Sequence, residues 1–145
     1  MVLDRGAREA LRVRLVTHVA SVYSLDIGDV DGHTASLARF SGLAFYPNGV
    51  VGSVSFVSLA DYRDGSGTFI LYPILICADG SELWLKSIGT GNVDGTTTHF
   101  VGTVTVVGRK GRFEGAKGDG TLTGTRYRSL SVGADLVSDY TINLT

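Results

Sequence analysis

From residue 12 to the C-terminus, apolar and polar residues alternate over stretches of about ten residues. Clusters of Gly, Asn, Asp, Pro and Ser interrupt these stretches at nearly even intervals. A period of two sends successive side chains to opposite faces of an extended chain, so the pattern predicts β-strands. Eight are predicted, over residues 12–26, 33–46, 50–62, 68–78, 82–89, 97–107, 121–129 and 134–144. Between them, Pro47-Asn48-Gly49, Asp64-Gly65-Ser66-Gly67, Asp79-Gly80-Ser81 and Asp94-Gly95 supply residues that tolerate positive φ or preset a bend. An antiparallel meander is therefore expected. No helical period of useful length separates the strands, which removes the basis for parallel βαβ units and the usual dinucleotide folds. Several strands exceed the usual length of about 5 to 6 residues, and long tilted strands favour closure. The expected fold is all-β, a closed antiparallel barrel of eight strands. Residues 12–145 form its single domain, and residues 1–11 an N-terminal arm, either frayed or with a short helical turn over residues 7–11.

The segment FVGTVTVVGRKGRFEGAKGDGTLTG departs from this regularity, with six glycines in the seventeen residues from Gly108 to Gly124. Glycine-rich loops after a strand can cradle phosphate, but that chemistry needs Gly-Lys-Ser/Thr leading into a helix. Here Lys110 and Lys117 are each followed by Gly and then by strand-like sequence. The glycines read instead as bends and close approaches where coiled strands close a sheet, with Gly115 and Gly118 the positions expected to need glycine.

Composition narrows the partners. With 13 basic and 14 acidic residues the net charge is −1, so no overall field favours nucleic acid or an anionic surface. Cys77 is the only cysteine, which rules out an intrachain disulfide and a thiolate cluster and suits a reducing, cytoplasmic setting. Asp4 and Glu9 stand among the arginines of the N-terminus, no apolar run has the length of a signal-peptide core, and no membrane-spanning helix is expected. His18, His33 and His99 lack metal-ligand spacing, so neither metal nor cofactor is expected. Apolar residues occupy both faces of LARF and FILYPILI, which points to a homo-oligomer, dimer or trimer.

The run GRKGRFEGAKG, residues 108–118, resembles the Gly-x-x-Gly-x-Phe-x-Gly-Ala-x-Gly signature of the allene oxide cyclase and dirigent barrel superfamily. VYSLD resembles that superfamily's first strand and YPILICADG its central hairpin, so the resemblance spans residues 19–125 in feature order. It implies a calycin-like barrel whose lumen holds a small apolar ligand. It also implies assembly as dimers or trimers, and cofactor-free steering of cyclisations or radical couplings. Where plant allene oxide cyclases carry a first-strand glutamate this chain has Ser24, and their asparagine two residues on corresponds to Asp26. Their second-strand asparagine falls near Gly42, beside a retained Phe40. Allene oxide cyclisation itself is not implied, whereas Asp26 matches the aspartate near the top of the dirigent first strand.

Strict alternation puts Arg14, His18, Ser24 and Asp26 on one face of the first strand and Val13, Leu15, Val19, Tyr23 and Leu25 on the other. Alternation alone leaves open which face is inside, and the resemblance turns Ser24 and Asp26 toward the lumen. Glu82, Trp84 and Lys86 share a face. Either an acid lies beside an indole in the lumen, as a proton donor, or the three face outward with Trp84 at an oligomer contact. Asp26 and Glu82 are thus the candidate catalytic acids, and His18, Ser24, Phe40, Tyr72, Ile74, Trp84 and Tyr140 the candidate substrate-binding residues. Three functions fit. One is a cofactor-free cyclase or isomerase of a small apolar metabolite of polyketide, terpenoid or oxylipin type. Another is a barrel that binds such a ligand without catalysis. The third is a barrel filled by its own side chains that serves assembly.

Overall fold

The alternation of the sequence becomes eight strands in the computed structural model, which describes residues 9–133 and 135–145. They are β1 (Glu9–Asp26), β2 (His33–Phe45), β3 (Val51–Arg63), β4 (Ser66–Ile76), β5 (Glu82–Asp94), β6 (Thr97–Lys110), β7 (Gly118–Arg126) and β8 (Leu136–Leu144). Each pairs antiparallel with its neighbours in sequence, and β8 returns to β1, closing the barrel. Closure gives every described strand a partner on both sides over most of its length, and the ends left with one partner include residues 21–26 of β1 and 106–110 of β6. The arm differs from expectation at its inner end: Glu9, Ala10 and Leu11 belong to β1 and pair with Leu144, Asn143 and Ile142, so no helical turn forms there. Residues 1–8 of the arm lie outside the described residues.

β5 runs to Asp94, five residues past its predicted end, because Gly89 is a packing position rather than a breaker. It stands between Phe69 and Gly102 in the pairing. A Cβ on it would lie 2.7 Å from Cζ of Phe69 and 2.7 Å from Cα of Gly102. No real Cβ fits there, so this glycine makes room for an inward phenyl ring.

The two ends of the barrel are built differently. The end reached by the C-termini of β2, β4, β6 and β8 is filled: Leu11, Leu75, Leu83, Phe113 and Leu144 are all at most 4% exposed. The GRKGRFEGAKG segment seals it. Residues Gly111–Phe113 form a single 3₁₀ turn, closed by bonds from Glu114 N to Gly111 O at 2.9 Å and from Ala116 N to Phe113 O at 2.8 Å. Gly115 sits at φ 82°, the left-handed region that a side chain resists, and reverses the chain so that Phe113 and Ala116 both point inward. Gly118 meets the Asn143–Leu144 backbone, as the requirement for glycine implied. Arg112 N donates to Ser81 Oγ at 3.0 Å, tying the plug to the β4–β5 turn. Burying a phenyl ring contributes roughly 2 to 3 kcal/mol.

At the other end β1 changes its face. Its pairing with β2 steps from Val19↔Phe40 to Ser21↔Arg39, leaving Ala20 as a bulge. A bulge shifts the alternation by one residue, so inward positions change from odd (Leu11, Val13, Leu15, Thr17) to even (Val22, Ser24, Asp26). The expectation that Arg14 and His18 share a face with Ser24 and Asp26 is thereby corrected. Beyond Thr17, β1 also loses β8 as a partner and overhangs the rim, paired with β2 alone, and residues 20–30 are exposed throughout.

Candidate functional site

The open end holds a cavity of about 100 Å³, reached from the rim that carries the β1–β2, β3–β4, β5–β6 and β7–β8 connections. Its space comes from small inward residues on two adjacent strands, Ser36 and Ala38 on β2 and Ser58 and Ala60 on β3. Their neighbours are large: Phe40 stacks on Phe56 with ring centroids 4.7 Å apart, and Phe69 meets Phe100 edge to face at 5.9 Å. Both geometries suit the aromatic quadrupole. Leu130, in the 3₁₀ turn Leu130–Val132 of the β7–β8 connection, packs down on the mouth.

Besides the hydroxyls of Ser36, Ser58 and Ser138, two larger polar groups break this wall. Tyr62 on β3 has its phenol pushed up to about 12 by burial, so it stays neutral and can donate a hydrogen bond. Arg126, the last residue of β7, is half-buried in the lining with its guanidinium 5.5 Å from the centre of the Phe100 ring. Its Nε donates to Arg128 O at 3.0 Å, and burial lowers its pKa. Burial works against the cation without neutralising it, since a guanidinium keeps its proton under any ordinary condition.

The expected site residues are divided by this geometry. Phe40 lines the cavity, whereas Tyr140 is 2% exposed in the core, its phenol pushed up to about 12 by burial. Ser24 lies on the lumen side of β1 and accepts a hydrogen bond from Ser36 Oγ at 3.2 Å. Asp26 shares that side but stands exposed on the overhang, outside the cavity lining. His18 is on the outer face, its Nδ1 2.8 Å from Asp135 Oδ1. Tyr72, Ile74, Glu82 and Trp84 are also on the outer face, because Leu71, Pro73, Leu75, Leu83 and Leu85 take the inward positions of β4 and β5. Trp84 lies over Gly108 and donates from Nε1 to Glu82 Oε1 at 2.9 Å, so this group faces outward and not into the lumen. Among the described residues no carboxylate lines the cavity, and no cluster of three or more His, Cys, Asp or Glu is placed to hold a metal ion.

No family model and no curated protein matches the chain. Solved structures do. A conserved protein of unknown function from Rhodopseudomonas palustris superposes with a TM-score of 0.61 at 13% identity, over 96% of this chain and 99% of that one. A protein of unknown function from Clostridium acetobutylicum gives 0.61 at 15% identity, over 97% and 99%. The pterocarpan synthase dirigent protein GePTS1 gives 0.57 at 12% identity, over 99% and 92%. The fold is thus a closed eight-stranded antiparallel barrel with a small aromatic cavity at one end. In fold it is similar to the dirigent protein GePTS1 as well as to the two proteins of unknown function.

Proposed function

We propose that this chain binds a small, largely apolar ligand in the cavity at the open end of the barrel. The observation that carries the reading is the lining itself: five aromatic rings, Phe40, Phe56, Tyr62, Phe69 and Phe100, surround a space reached from the rim, with a few polar groups converging on it. Concave, mostly apolar sites with sparse polar groups are the usual form of small-molecule sites. A volume of about 100 Å³ suits a body of about one ring; an engineered apolar cavity of about 150 Å³ takes benzene. Longer metabolites of polyketide, terpenoid or oxylipin type would keep most of their length in the mouth. The test is ¹⁹F NMR with fluorobenzene as probe. Binding is expected in the parent and not in Ala60→Phe, which fills the space; equal binding by both proteins would refute the assignment.

A cofactor-free cyclase or isomerase is the second reading, favoured by the dirigent-like fold and by the presence of hydrogen-bond donors on an apolar wall. In that case Tyr62, rather than Asp26 or Glu82, is the group placed to donate to an oxygen that gains charge, while the wall holds the substrate close to its reactive shape. Tyr62→Phe would then lower turnover about 10²-fold or more and leave binding nearly unchanged.

A further inference from the structure

Arg126 differs from the other basic residues whose partners are known. Arg14 pairs with Asp139 at 2.8 Å, His18 with Asp135 at 2.8 Å, His33 with Asp29 at 2.8 Å and Asp61 at 2.6 Å, and Arg112 approaches Asp79 to 3.9 Å. All these contacts are at the surface or the rim. Arg126 lies in the cavity wall, and among the described residues no carboxylate comes within ion-pair distance of it. The Arg128 carbonyl takes its Nε proton, and the Phe100 ring takes one face of the guanidinium. The two terminal nitrogens keep their donors, and a planar guanidinium presents them in a fork that matches a carboxylate. A half-buried cation whose terminal donors have no carboxylate partner, set at the edge of an apolar cavity, is suited to an anion that completes it.

We propose that the cavity takes a monoanionic ligand about one ring in size, an aryl or compact branched carboxylate, with its carboxylate on the terminal nitrogens of Arg126. Its apolar body lies among Phe40, Phe56, Phe69 and Phe100, and the Tyr62 hydroxyl is the further donor on the same wall. This inference rests on the cavity reading above and adds the charge and size of the ligand to it. A neutral ring would gain the apolar contacts alone. An acid of the same shape would gain a charge-assisted pair as well.

Benzoate and benzamide have nearly the same shape and differ in charge, so they separate the two contributions. Titrations followed by ¹H–¹⁵N correlation spectra are expected to show both ligands shifting amides of residues 36–40, 56–62 and 122–126, with benzoate binding at least about tenfold tighter. In Arg126→Met the preference is expected to fall to within about twofold while benzamide keeps its affinity. If Arg126→Met does not give a folded spectrum, Arg126→Gln provides the same comparison. Equal affinities of the two ligands in the parent, with the same cavity amides shifting, would overturn the anion proposal and leave the cavity reading standing. Shifts from neither ligand, or only from the outer face, would overturn the cavity reading and the proposal with it. Benzoate preference unchanged by removal of Arg126 would overturn the role of that residue.

Discussion

Replacing Phe113 by Ala is expected to remove the plug from the closed end of the barrel. The ring is 0% exposed, and it is held by a turn fixed through Ser81 and through the Gly111–Ala116 hydrogen bonds, so the surrounding wall has little freedom to collapse into the space left behind. Truncations of buried Phe to Ala cost about 3 to 5 kcal/mol, toward the upper end where a site cannot relax. The Arg112 guanidinium, 5.6 Å from the ring centre, loses its cation–π contact as well, a smaller loss at a partly exposed site. For 145 residues the unfolding entropy is about 0.3 kcal/mol/K, so a loss of about 4 kcal/mol lowers the melting temperature by roughly 13 °C. Calorimetry and urea denaturation would measure it. Phe113→Leu should lose about a third as much, and Lys117→Ala, an exposed side chain beside the same turn, almost nothing. Binding of fluorobenzene at a temperature where the variant is folded should survive, since the cavity is at the opposite end. Parent-like melting of Phe113→Ala would refute the plug and, with it, the explanation given for the glycine-rich segment.

His33 gives a pH dependence. Both ring nitrogens face carboxylates, Nδ1 that of Asp29 and Nε2 that of Asp61, so only the doubly protonated ring donates to both, and these bonds raise its pKa above 6.5. A raised folded-state pKa means stability that is fully present below pH 6.5 and lost as pH rises through the folded value. Melting temperatures of the parent should therefore fall over that window, and those of His33→Gln should not; the difference should shrink in high salt, because the two aspartates are more than half exposed. On the outer face, Tyr23, Leu37, Leu59, Ile70 and Ile88 stand side by side in register across β1 to β5, a row suited to a second copy of the chain. Sedimentation should give a dimer or trimer for the parent and a monomer for Leu37→Glu/Leu59→Lys; a monomeric parent at micromolar concentration would end the idea. Gly115→Val, which forces a β-branched residue to φ 82°, should cost about 1 to 3 kcal/mol in chemical denaturation, and an unchanged midpoint would show that the turn relaxes.

Much of the barrel was legible because each strand carries its own alternation and each turn its own glycine or asparagine. The glycine-rich segment was legible as a motif and as a set of bends, while the inward packing of Phe113 and Ala116 that makes it a plug was not. The inside of the barrel was harder to read. On β1 the bulge at Ala20 is silent in sequence, since Val22 and Tyr23 are both apolar and either alternation looks sound. On β4 both faces are apolar, and on β5 Trp84 stands between Glu82 and Lys86 on the outer face, so Tyr72 and Trp84, the larger rings, drew attention while Leu71 and Leu83 took the interior. The cavity is made by what is small: Ser36, Ala38, Ser58 and Ala60 recur at every second position on neighbouring strands, and that recurrence was the available signal. Arg126, in GTRYRS, reads as one more surface arginine until the parity of β7 turns it inward.

A ligand seated in the cavity can be seen directly. Crystals of the protein grown with bromobenzene would locate the bromine by its anomalous scattering. The expected result is a single strong peak within van der Waals contact of Phe56, Phe69 and Leu122, beneath Leu130. An empty cavity, with bromine found only along the outer row of Leu37, Leu59 and Ile88, would contradict it.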